Sequence, residues 1–191
     1  MVKVTVKVSK KMVAVAAVFA LVACSIIAYE QLKYEPVTTW KMGDIDLYFR
    51  ADLNRAADVP VYPGEAQVYF DTMHQLVKNV TIAVKETDDS SYYSVEAFEI
   101  VNKMLLAYSK MFGSDIKSGY SLPTFDVQFV DQYAYLPGKI QNPIIAIVHP
   151  DFANETSIRN EGHVTYISGQ TYEELDLAVV KFLMIALDIE V

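Results

Sequence analysis

The residue types best suited to chemistry are few and scattered. Three histidines, His74, His149 and His163, occur in 191 residues, and no two of them fall at the i, i+3 or i, i+4 spacing that places two imidazoles on one helix face. HExxH, GxSxG, phosphate-loop and dinucleotide fingerprints do not occur in the sequence. One histidine stands beside an acid: His149-Pro150-Asp151 follows the apolar run Ile144 to Val148. A histidine and a carboxylate at the C-terminal edge of a buried strand occupy the place where α/β proteins hold ligands, and could serve as base and partner. His149 and Asp151 are therefore the candidate ligand-binding pair, against the more ordinary role of a polar turn closing a strand.

Glu86, Asp88 and Asp89, followed by Ser90 and Ser91, collect the hard oxygen donors that Ca²⁺ prefers and are candidate metal ligands. The stretch lacks the ligand spacing and glycine of an EF-hand, and it also reads as a solvated loop entering a helix. Asn79-Val80-Thr81 and Asn154-Glu155-Thr156 match the N-glycosylation acceptor. Asn154 sits in a polar loop, whereas Asn79 opens a predicted strand. Tyr92, Tyr93, Tyr120, Tyr133 and Tyr135 lie in or beside predicted loops, where exposed tyrosines make low-entropy contact surfaces. Nothing in this inventory calls for a cofactor or spells out a reaction, so no enzymatic activity is expected.

The strongest functional signal lies before any of these residues. Lys3, Lys7, Lys10 and Lys11 precede Met12 to Tyr29, a run of 18 residues without a charge, which is the lower edge of bilayer-spanning length. Three fates fit such a leader. A cleaved secretory signal has the same basic start, but Ile26 and Ile27 prolong the apolar stretch past a small-residue cleavage site. Leu21-Val22-Ala23-Cys24 resembles the lipobox of bacterial lipoproteins, which would make Cys24 the acyl acceptor, although the apolar Ser25-Ile26-Ile27-Ala28 behind it is unlike a polar tether. The length favours a retained signal-anchor, whose flanking lysines stay cytoplasmic and whose outer end carries Tyr29 and Tyr34 for an aromatic belt. All three fates put the residues from about Glu30 onward outside the cytoplasm.

Composition agrees with export. All 24 acids lie at or after Glu30 with only 12 of the 16 basic residues, so the exported part carries a net charge of −12 and the leader +4. Such a balance excludes nucleic acid as a partner, because that binding needs a basic face. The single cysteine lies in the leader, so the exported part has no disulfide, no zinc–thiolate site and no cysteine nucleophile. Its stability must come from packing.

The organisation expected is a basic tail over 1–11, a transmembrane signal-anchor over 12–29, a stalk over 30–40 and an extracytoplasmic domain over 41–191. Within that domain, periodicity predicts strands at Ile45 to Arg50, Asn79 to Lys85, Phe125 to Val130 (half-buried) and Ile144 to Val148 (buried on both faces). Helices are predicted at Glu65 to Leu76 and at Tyr92 to Phe112, the latter ended by Gly113. A hairpin turns about Asn160-Glu161-Gly162, and a final apolar helix runs to Leu187, capped by Thr171 with Glu173 and Glu174 in its first turn. At about 13 residues from Leu175 to Leu187, its apolar part is too short to span a bilayer. Alternation of this kind predicts a single α/β sandwich with a mixed sheet.

Residues Asn154 to Leu187, with "PIIAIVHP", look like segments of archaeal membrane-anchored or cell-envelope proteins, including S-layer-like ones. The resemblance covers about a quarter of the chain, transfers no catalytic residue and implies an exported structural protein. The expectation is a single-pass protein of the cell membrane that contacts the lipid bilayer and other envelope proteins. The alternatives are a surface receptor or accessory subunit for a small ligand or cation, and a membrane-tethered hydrolase.

Overall fold

The computed structural model describes residues 37–85, 90–113, 121–133 and 136–190. The predicted anchor with Cys24 and the candidate metal ligands Glu86, Asp88 and Asp89 lie outside them. No helix among the described residues is long and apolar enough to cross a membrane.

The compact unit begins at Val37. A hairpin comes first, β1 (Thr38–Met42) paired antiparallel with β2 (Ile45–Phe49); β1 takes up the end of the predicted stalk. Then follow α1 (Leu53–Ala57), β3 (Val61–Tyr62), α2 (Glu65–Thr72), β4 (Asn79–Lys85), α3 (Ser90–Phe112), β5 (Thr124–Val130) and β6 (Ile144–Val148). A short 3-10 turn, Pro150–Phe152, leads to β7 (Ser157–Glu161), β8 (Val164–Ser168) and α4 (Tyr172–Leu187). Among the described residues the main sheet has six strands in the order β3-β7-β8-β6-β4-β5. β8, β6, β4 and β5 are mutually parallel, and β7 is antiparallel to β8. This is an α/β fold with a mixed sheet, as periodicity predicts.

The pleat sorts side chains between two faces. Val80, Ile82 and Val84 of β4, with Ile145 and Ile147 of β6, Ile158 and Ile167, join α3 and α4 in one core. The opposite face holds a smaller cluster, Ala83, Ile144, Ala146 and Val164, packed by Tyr133, Leu136 and Tyr166 from the β5–β6 connection and β8. With both faces covered, all five residues of β6 are buried, and each large aliphatic side chain withdrawn from water there contributes about 1.5–3 kcal/mol. Two glycines are required by geometry. Gly162 takes φ +65° in the hairpin turn, and a Cβ at Gly169 would lie 2.2 Å from the backbone nitrogen of Leu175, so only glycine lets β8 turn directly into α4.

Three expectations are corrected. Helix α2 stops at Thr72 rather than Leu76, because the chain must turn to start β4 at Asn79 and Met73 leaves helical geometry. Strand β5 is mostly exposed rather than half-buried, because it is the edge strand of the sheet. Tyr93 is buried against the core rather than displayed on a loop, because it lies one turn inside α3 on the stripe continued by Ala97 and Ile100.

Candidate functional site

His149 lies where the sequence places it, at the C-terminal end of the buried central strand β6. Its backbone is extended, and it caps the turn that Pro150 opens: the Asp151 N–H donates to His149 Nδ1 at 3.0 Å. A neutral imidazole that accepts at Nδ1 carries its proton on Nε2, and Nε2 lies 3.4 Å from the Tyr172 hydroxyl. The ring is buried among Tyr93, Phe152 and Tyr172, with centroids 5.5, 5.8 and 6.0 Å away. Nδ1 is thus engaged by a backbone amide, and Nε2 faces the Tyr172 hydroxyl. The Asp151 carboxylate stands 3.6 Å from Nδ1 with its side chain 81% exposed. The pair is brought together, but through the amide of Asp151 rather than its acid, and the geometry is that of a strand-end cap.

Beside this cap lies a charged cluster that sequence reasoning missed. Arg50, just after β2, hydrogen-bonds the buried Glu96 of α3, and its second terminal nitrogen is 3.7 Å from Asp176 of α4. Asp176 also accepts a 2.6 Å hydrogen bond from the Tyr92 hydroxyl, and the Arg50 guanidinium sits 5.5 Å from the centre of the Tyr92 ring. Burial, partly opposed by Tyr92 and Arg50, raises the Asp176 pKa; burial and the Asp176 charge raise that of Tyr92. One guanidinium shared by two carboxylates ties β2, α3 and α4 together. The available signal was a glutamate inside an apolar helical stripe, since buried acids occur almost always with a partner.

A second cluster sits at the opposite edge of the sheet, beside the hairpin turn. Asp71, buried near the end of α2, accepts from Gln67 Nε2 at 2.6 Å and from Asn160 Nδ2 at 3.0 Å. His163 Nδ1 is 3.5 Å from the other Asp71 oxygen. His74 Nδ1 accepts the Leu76 N–H at 3.2 Å. Burial lowers the His74 pKa, helped by the nearby His163 and opposed by Asp71. Two buried atoms, Asn160 Oδ1 and His163 Nδ1, have no hydrogen-bond partner among the described residues, whereas the His74 ring is also hydrogen-bonded to the backbone of Ile140. No set of three or more histidines, cysteines or acids there is arranged to hold a metal. Asp71 and Asn160 are 89 positions apart, so no local spacing could reveal the pair.

Between α2 and the end of α4 runs a groove of about 500 Å³, with Tyr69, Phe70 and Met184 in its walls and Glu65, Asp188 and Glu190 along it. Glu65 reaches 2.6 Å from the ammonium of Lys181, which explains a lysine in an otherwise apolar helix. The sequon residues differ as expected. Asn154 is exposed, while Asn79 is half-buried and its side chain accepts from the Thr124 hydroxyl at 2.8 Å. Comparison with family models, with curated proteins and with solved structures returned no match.

Proposed function

We propose that the chain is a single-pass membrane protein whose acidic α/β domain lies outside the cytoplasm and works by contacting other proteins of the cell envelope. The observation that carries this reading is the charge division about one apolar run: four lysines and no acid before it, 24 acids and 12 basic residues after it. The histidine best placed for chemistry supports a non-enzymatic role, because His149 spends its basic nitrogen on the Asp151 amide. Glycosylation at the exposed Asn154, and less readily at Asn79, fits the same location. A receptor for a basic ligand or cation is the second reading. Its place would be the groove beside Glu65, Asp188 and Glu190 rather than His149.

The test is extraction. Membranes bearing the full chain are washed with alkaline carbonate and dissolved in mild detergent, and the intact mass and the co-purifying proteins are determined. The expected result is retention through the wash, a mass that includes the leader, and a defined assembly. A chain released by carbonate with a mass lacking the leader would overturn the anchor. A clean monomer with reproducible turnover would overturn the structural role.

A further inference from the structure

Among the described residues, strand β5 is an edge that no further strand pairs, and its sequence complements itself. The strand reads Thr124-Phe125-Asp126-Val127-Gln128-Phe129-Val130 and, among the described residues, pairs only with β4, along all seven residues. The Thr124 N–H donates to Lys78 O, toward β4. Main-chain groups alternate sides along a strand, so those of Phe125, Val127 and Phe129 point away from the sheet. The register with Val80, Ile82 and Val84 puts the side chains of these three on the face that carries the helices. Yet Val127 is 42% and Phe129 54% exposed, as is Phe98 of α3 at 69%. An edge seven residues long with open amides and apolar side chains is an unprotected template for another strand.

We infer that β5 pairs antiparallel with β5 of a second copy, about a two-fold axis through Val127, to join two sheets into one. The strand is nearly palindromic about that residue: Phe125 faces Phe129, Asp126 faces Gln128, and Thr124 faces Val130. Pairing of this kind opposes the residues whose main-chain groups point outward, giving about six inter-strand hydrogen bonds. It stacks aromatic against aromatic on the helix face and sets a carboxylate against an amide, twice, on the other. A shift of two residues one way sets Asp126 against its own copy; the other way it sets Phe125 against Asp131. Charge and apolar pattern therefore select both the occupant and the register, as an isologous interface demands. The inference stands on β5 alone and holds whether or not the chain is membrane-bound.

Sedimentation of the full chain in mild detergent, over a concentration series, provides the test. The native chain is expected to show a reversible monomer–dimer equilibrium. Gln128→Lys, which faces each Asp126 with an ammonium, should tighten it by about tenfold, and Gln128→Asp should loosen it by about as much. Both side chains are exposed, so folding is not at stake. In a Cys24→Ser background, Val127→Cys should be joined into a dimer by a short bis-thiol crosslinker, because the two Cα atoms would lie about 5.5 Å apart. Thr124→Cys should not, since the two copies would be about 20 Å apart. Three results would overturn the inference: a monomer throughout the series, a dimer indifferent to residue 128, or crosslinking at 124 in place of 127. The second would mean that the copies meet elsewhere and leave β5 to a strand of a different protein.

Discussion

The two ends of the parallel strands carry buried polar clusters of opposite character. At the C-terminal edge Arg50 binds Glu96 and Asp176, Tyr92 completes the set, and His149 is closed by a backbone amide. At the N-terminal edge Asp71 gathers Gln67, Asn160 and His163, but buried atoms of Asn160 and His163 stay without hydrogen-bond partners among the described residues. The first cluster lies where α/β folds usually bind ligands, and here it is consumed by holding β2, α3 and α4 together. The lesson is that position in a fold nominates a site, while the use already made of each donor and acceptor decides what the site can do.

The contrast breaks first at Arg50. Arg50→Met strands Glu96, which is 1% exposed, and should cost about 3–5 kcal/mol in urea unfolding; adding Glu96→Leu should return most of that loss, because replacing both partners of a buried pair is far milder than removing one. Asp71→Ala removes the acceptor shared by Gln67 and Asn160 and should cost about 1–3 kcal/mol by the same measurement. If the two losses came out equal, the distinction between the clusters would fail.

Acidity should separate the ends by sign. Asp176 has a raised pKa in the folded state, so its protonated form is favoured by folding, and its contribution declines as pH rises from the ordinary carboxylate range through the folded value. His74 has a lowered pKa, so the unfolded chain binds its proton more readily, and stability declines as pH falls below about 6.5. Stability measured from pH 4 to 8 should lose the first slope in Asp176→Asn and the second in His74→Gln. The smallest effect belongs to Asp151→Ala. Its side chain is 81% exposed and its amide survives the change, so stability should move by less than about 0.5 kcal/mol.

Much of this architecture was legible. Asn79–Lys85 and Ile144–Val148 match their predicted strands residue for residue, because β-branched runs bounded by turns permit little else. The Thr171 cap was legible from its own chemistry, and its side chain accepts from the Glu174 N–H. The missing pieces were short or long-range. The five-residue β1 and α1 and the two-residue β3 are too brief for a periodic signal. The exposure of β5 depends on sheet order, which alternation alone cannot supply. Both polar clusters bring together residues from separate elements; the trace of the Arg50 cluster was a charged residue inside an apolar stripe, as with Glu96 and Asp176, and the Asp71 cluster left none.

The most direct test of the central claim is the location of the folded domain. A single cysteine introduced at the exposed Asp44 of the full-length chain, with Cys24→Ser, is offered a membrane-impermeant thiol reagent on intact cells and again after lysis. Labelling of intact cells equal to that of lysates, on a chain retained in carbonate-washed membranes, is the predicted result. Labelling that appears only after lysis would place the acidic domain inside the cytoplasm and contradict the account.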